Sequence, residues 1–170
     1  EPNRFGWVVE IDPRNPDQAP IKRTALGRFK HEGAEVTLAK DGRVVVYMGD
    51  DQRGEYVYRY VSKNSYQPNQ PELNQTLLDD GVLYVAQFNN NGQGKWIPLL
   101  FGQNGLTPKN GFANQAYILI EARLAADQVQ ATPLDRPEWV AVHPKTNDVY
   151  VSLTNNNQRG KEFQIDAVNP

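Results

Sequence analysis

Hydrophobic positions along the chain fall mainly into short runs of β-branched and aromatic residues, each bounded by Gly, Asp, Asn or Pro. Within such a run, Val57, Arg59 and Val61 alternate with Tyr58 and Tyr60, as expected for a strand that buries one face. Runs of this kind predict an all-β fold. The predicted strands are residues 5–11, 22–26, 35–38, 44–48, 56–61, 83–88, 96–99, 139–143, 149–153 and 163–166.

A turn followed by a hydrophobic strand and then a polar loop occurs more than once. Asp41-Gly42 separates two strands, and residues 144–148 separate another pair. Residues 78–86 repeat the second half of this pattern, a turn followed by a hydrophobic strand. The copies lie roughly 40 residues apart, which is typical of β-propeller blades. We therefore expect a partial β-propeller of roughly two to three four-stranded antiparallel blades, since complete propellers have about 4–8. One helix, near 114–126, interrupts the pattern because its apolar residues follow a helical spacing.

Composition narrows the classes of function. The chain has 170 residues and a formal net charge of −2, so no basic excess is available for binding nucleic acid. No apolar run is long enough to span a membrane. The length fits a single domain, 1–170. With too few strands to close a ring, we expect this domain to be an internal portion of a larger propeller, with uncovered blade faces that favour self-association.

Carboxylates occur in four short polar segments. Glu32 follows His31, and this pair is either two metal ligands or a polar pair on the surface. Asp50 and Asp51 end a hydrophobic strand, which suits calcium but is equally a solvated turn. Asp79-Asp80-Gly81 is interpreted as a hairpin turn.

The densest cluster is Asp135-Arg136-Pro137-Glu138. Arg136 offers the planar donor fork suited to phosphate, and Glu138, two residues on, points to the same side of an extended chain. If Glu138 binds a metal cation, that cation and the Arg136 guanidinium lie on one face and could hold one anion together. The alternative is a salt bridge between Arg136 and Glu138. His143, before Pro144, is interpreted as a turn residue.

With these clusters in place, the chain resembles the PhoX-type bacterial alkaline phosphatases, a family of secreted β-propeller enzymes. The matching stretches are residues 5–13, 22–34, 45–51, 55–62, 78–86, 122–127 and 135–144. The resemblance implies a phosphatase acting on phosphate monoesters at an iron and calcium cluster, in the periplasm or outside the cell. It also implies that Glu32, Glu138 and Asp51, or its neighbour Asp50, are metal ligands and that Arg136 contacts phosphate.

The absence of cysteine departs from this family, in which a cysteine-containing motif supplies an iron ligand. The resemblance therefore implies an incomplete cluster and an isolated chain that is inactive. The competing hypothesis is a non-catalytic propeller module that binds a ligand or a partner through its polar loops.

Overall fold

The computed structural model describes residues 1–169 and is mostly β, as predicted. Its strands are β1 (Val9–Glu10), β2 (Ile21–Lys22), β3 (His31–Leu38), β4 (Arg43–Asp50), β5 (Arg53–Glu55), β6 (Val57–Ser65), β7 (Gly81–Phe88), β8 (Gly94–Pro98), β9 (Leu134–Asp135), β10 (Pro137–Val142) and β11 (Val149–Leu153). Its α-helices are α1 (Gln115–Ile120) and α2 (Ala122–Gln128). Neither helix has the length and apolar content needed to cross a membrane.

One antiparallel sheet dominates, with the strand order β3-β4-β6-β7-β8. It has five strands rather than the four predicted for each blade. The Asp41-Gly42 turn joins β3 to β4 as predicted, with Leu38 opposite Val44. Three two-stranded antiparallel sheets, β1-β2, β5-β9 and β10-β11, lie beside it, and the described strands form no closed barrel.

The main core lies between one face of this sheet and the two helices. Alternate residues of the central strands point to this face because side chains alternate along a strand. Small alanines on α2 allow the helix to approach the sheet closely. The core comprises, among others, Met48, Tyr58, Tyr60, Leu83, Val85, Ile118, Ala122, Ala125 and Ala126.

The helix predicted near 114–126 is present but divided. Glu121 leaves the helical conformation, with φ −107° and ψ 47°, and separates α1 from α2. Asn114 caps α1, since its side chain accepts a hydrogen bond from the Tyr117 amide at 2.9 Å. The segment is part of the main core.

The hairpin of β10 and β11 packs against the other face, over the ends of β3 and β4. Gly49 on β4 is the point of closest approach: a Cβ there would lie 2.4 Å from the Glu138 carbonyl oxygen and 2.6 Å from that of Pro137. Next to it, the Trp139 ring covers Gly33. The hairpin therefore carries residues 136–138 to the ends of these two strands.

Several predicted strands are shorter than expected or not formed. Of the strand predicted at 5–11, only Val9–Glu10 forms. Of the strand predicted at 22–26, only Lys22 is in a strand, Ile21–Lys22, and a 3-10 helix occupies Thr24–Leu26. The strand predicted at 163–166 is wrong, because Phe163 makes a single bridge to Arg159 and no ladder. A run of β-forming residues becomes a strand only where a neighbouring strand satisfies its backbone.

We predict that Gly49→Ala destabilises the fold, because its new methyl group would meet backbone atoms of β10 that cannot rotate away. The expected loss in the free energy of unfolding is roughly 2–3 kcal/mol, measured by chemical denaturation. Gly92→Ala is the control, since nothing lies within 4 Å of that position and only its positive φ of 79° adds strain, at about 1 kcal/mol. A loss at Gly49 no larger than the control would contradict the close packing.

Candidate functional site

The structure brings three of the predicted site residues together at the ends of β4 and β10. The Arg136 Nε donates to Asp51 Oδ1 at 2.9 Å and its Nη2 donates to Asp51 Oδ2 at 3.2 Å. The same Nη2 lies 3.4 Å from Glu138 Oε1. The salt bridge considered as the alternative for Arg136 and Glu138 is thus present. Arg136 also makes a second, stronger ion pair with Asp51, through two hydrogen bonds.

Arg136 has an unusual backbone conformation, with φ at 48°. Left-handed backbone is uncommon for a residue with a Cβ and costs roughly 1–3 kcal/mol unless its surroundings enforce it. Here the Thr154 amide donates to both the Asp135 and Arg136 carbonyl oxygens, at 3.2 and 3.3 Å, and Pro137 follows. The kink turns the chain between β9 and β10, at the position where the guanidinium meets Asp51.

Neighbouring side chains hold both sides of this kink. Arg159 donates to Asp135, with its shortest contact at 2.6 Å, and Asn156 donates to the same carboxylate at 2.7 Å. On the other side, the Thr154 hydroxyl donates to Glu138 Oε1 at 2.8 Å. Sequence reasoning did not single out Thr154 or Arg159.

Glu32 is the fourth charge of the cluster, which we call the Arg136 cluster: Glu32, Asp51, Arg136 and Glu138. Glu32 is exposed on β3, opposite Gly49 of β4. The pKa of Arg136 is raised, first by its hydrogen bond to Asp51 and also by the charges of Asp51, Glu138 and Glu32. Three carboxylates around one guanidinium give the cluster a net negative charge, so it favours a cation more than a free anion.

Asp50 lies apart from this cluster, although it precedes Asp51 directly. Its side chain is completely buried, and both carboxylate oxygens accept hydrogen bonds from Arg123 on α2, at 2.7 and 2.6 Å. Successive residues of an extended chain point to opposite sides, so the Asp50–Asp51 pair is divided between the interior and the site. Asp50 is thus paired with Arg123, a residue that sequence reasoning missed. The only sequence feature that pointed to Arg123 was its position as an arginine among the alanines of α2.

His31 and Glu32 are likewise separated. The His31 ring stacks on Phe29, with 3.7 Å between centroids, and its Nε2 lies 3.0 Å from the Gly27 carbonyl oxygen. Burial lowers the pKa of His31 to about 4, so the ring is neutral near pH 7. His143 is the turn residue that was predicted, and its Nδ1 accepts from the Thr146 amide at 3.2 Å.

The predicted metal ligands do not form a complete site within residues 1–169. Within residues 1–169, no group of three or more His, Asp or Glu side chains is placed so that it could hold a metal ion. In the Arg136 cluster, the guanidinium already occupies both oxygens of Asp51 and approaches Glu138. The described residues alone therefore do not fit a complete metal site.

Glu55 lies on the inner side of this region. Its side chain is 16% exposed, and its Oε2 lies 3.5 Å from the Arg123 Nε without accepting a hydrogen bond. Burial raises the pKa of Glu55 from its ordinary value of 4.5 to about 7, against the opposing effect of Arg123. The carboxyl group is therefore partly protonated at neutral pH.

Comparison with known proteins gives one family. Residues 1–170 match the family model described as Alkaline phosphatase PhoX. The chain is also similar to the solved structure of Pseudomonas fluorescens PhoX in complex with vanadate, a transition state analogue, with 53% sequence identity and a TM-score of 0.92. The match covers 96% of this chain and 30% of that chain. No curated protein sequence matches this chain significantly.

We predict that Glu55→Gln stabilises the fold at alkaline pH. A carboxyl group whose pKa is raised on folding favours the fold at pH values below 4.5, and this contribution is lost as the pH rises through 7. Glutamine keeps the neutral form, so the variant should gain up to about 3 kcal/mol at pH 8 and nothing at pH 4.

Chemical denaturation at the two pH values measures this difference. Glu72→Gln, at an exposed position, is the matched control and should change little at either pH. A Glu55→Gln variant that is equally stable or less stable than the original chain at pH 8 would contradict the raised pKa of the buried Glu55.

Proposed function

The chain belongs to the PhoX alkaline phosphatase family, and on that premise we propose that it forms part of a metal-dependent phosphatase that hydrolyses phosphate monoesters. The proposal concerns the whole enzyme, because this chain spans 30% of the length of its solved relative. The relative binds vanadate, a transition state analogue, and a site for a phosphate-like group in that protein supports the same substrate class here.

The observation that carries the proposal is the state of Arg136. Asp51 and Glu138 engage its Nε and Nη2, while its Nη1 has no hydrogen-bond partner in the part of the chain that the structure describes. An arginine fixed on one edge keeps a donor for a phosphate oxygen on its other edge. In this role Arg136 would bind an equatorial oxygen and stabilise the negative charge that develops during hydrolysis.

Glu32, Asp51 and Glu138 are the residues that we propose to face the metal ions, and Asp51 takes this role rather than Asp50. The exposed side chain of Glu32 makes no hydrogen bond within residues 1–169, and the net negative charge of the Arg136 cluster favours cations. In this family calcium and iron are the proposed metals, which would screen the charge of the phosphate and activate an oxygen nucleophile. The remaining ligands would come from the part of the enzyme that corresponds to the uncovered length of the relative.

The architectural proposal is that residues 1–170 form one internal portion of a β-propeller, with roughly two to three four-stranded blades. Strands β3, β4, β6 and β7 make four consecutive antiparallel neighbours, as a blade requires. Large apolar side chains on the hairpin remain exposed, Trp139 by 62% and Tyr150 by 61%. In the whole enzyme the next blade would cover them; in the isolated chain they favour self-association. A periplasmic or secreted location follows from the family.

We predict that the isolated chain has no phosphatase activity with Ca²⁺ and Fe³⁺ added, because its metal ligands are incomplete. A hybrid in which residues 1–170 replace the aligned segment of Pseudomonas fluorescens PhoX should hydrolyse p-nitrophenyl phosphate. In the hybrid, Arg136→Lys should lower kcat/KM by about 10²- to 10³-fold, since lysine cannot hold Asp51 and phosphate with one planar group.

Arg14→Lys, an exposed arginine whose side chain makes no hydrogen bond within residues 1–169, is the matched control and should leave kcat/KM unchanged. Turnover of p-nitrophenyl phosphate by the isolated chain would contradict the proposal that its metal site is incomplete. A folded, metal-loaded hybrid without turnover would favour the alternative, a non-catalytic binding module.

A further inference from the structure

Arg123 makes an unusual set of contacts around a residue that it does not touch. Besides its two hydrogen bonds to Asp50, its Nη1 donates to Gln52 Oε1 at 3.2 Å, and its Nε lies 3.5 Å from Glu55 Oε2. Asp50 and Gln52 are the two neighbours of Asp51 in the chain. One guanidinium on α2 thus holds both sides of the residue that binds Arg136.

Asp51 lies in the turn that follows β4, residues 50–52, and hydrogen bonds fix the backbone of this turn. The Asp51 amide donates to the Lys30 carbonyl oxygen at 3.0 Å, and the Lys30 amide lies 3.3 Å from Asp50 Oδ1. The Asp50 amide donates to the Tyr56 carbonyl oxygen at 3.1 Å. The turn is therefore closed on its inner side, and the side chain of Asp51 is the part that reaches the Arg136 cluster.

Burial makes the position of Asp50 strict. A buried carboxylate is costly unless it is paired and hydrogen-bonded, and Arg123 meets both oxygens of Asp50 with its planar fork. Lysine would neutralise the charge from a single compact ammonium group and could not offer the planar fork that meets both oxygens of Asp50. The orientation of the turn thus depends on the shape of the guanidinium as well as on its charge.

We propose that Arg123 is a positioning residue: it sets the turn that carries Asp51 and, through Asp51, fixes the Arg136 guanidinium for phosphate binding. The catalytic part of this inference rests on the proposed function. The structural part, the dependence of the Asp51–Arg136 bond on Arg123, does not, and it is tested on the chain itself.

The test is hydrogen exchange of the arginine Nε–H groups, measured by NMR on the 170-residue chain. Arg123→Lys should speed exchange at the Arg136 Nε–H by about tenfold, because its bond to Asp51 is no longer held in place. The Arg159 Nε–H, bonded to Asp135 at 3.1 Å, is the internal control and should not change. Unchanged exchange at Arg136 would overturn the proposal.

Two further variants separate positioning from general loss of structure. Arg23→Lys alters another buried arginine, bonded to Glu10 at 2.8 Å and Asp79 at 2.7 Å, and should leave Arg136 unaffected. If the single variant does not fold, Asp50→Asn with Arg123→Gln removes both charges of this ion pair together and leaves the net charge unchanged. This pair should also release Arg136; if Arg136 stays protected in the folded double variant, Arg123 does not position it.

In the hybrid enzyme, Arg123→Lys should lower kcat by about tenfold, whereas Arg23→Lys should leave it unchanged. A hybrid that is inactive before any substitution would contradict the proposed function, and the exchange measurement would still decide the role of Arg123. Faster exchange at Arg136 together with an unchanged kcat would overturn the catalytic part of the inference alone.

Discussion

The ion pair between Asp51 and Arg136 joins positions 85 residues apart, and the candidate site depends on it. Each partner comes from a segment that has little freedom of its own. Asp51 follows β4, the second strand of the main sheet, and Arg136 sits at a left-handed kink immediately before β10. Gly49 lets β10 come close enough for the two to meet. A side chain at that glycine would separate the hairpin from the sheet, and with it the two charges.

Two adjacent aspartates, Asp50 and Asp51, each pair with a different arginine. Arg123 takes Asp50 into the interior, where the pair ties α2 to the turn after β4, while Arg136 takes Asp51 on the outer side. The inner pair fixes the backbone, and the outer pair leaves one guanidinium nitrogen available. Because carboxylates outnumber the guanidinium in the Arg136 cluster, phosphate would be repelled until cations compensate the excess. This charge balance is the physical reason why we expect metals and phosphate to bind together in the whole enzyme.

Local patterns in the sequence predicted the strands of the main sheet, the Asp41-Gly42 turn, the helical segment and the proximity of Arg136 to Glu138. These features depend on neighbours in the chain. The division of Asp50 from Asp51 follows from alternation along a strand, but the partner that meets the buried Asp50 is Arg123, 73 residues away. The strand predicted at 163–166 failed for the same reason, since strand formation needs a partner that local sequence does not name. The placement of His31 in the interior also required the positions of Phe29 and Gly27.

The most direct test of the central claim is a crystal structure of the hybrid enzyme with vanadate bound. The account predicts that an Arg136 nitrogen donates to a vanadate oxygen while its Nε remains bonded to Asp51, and that Asp50 stays with Arg123. If vanadate bound elsewhere, with Arg136 making no contact to it, the assignment of this cluster to phosphate chemistry would be wrong.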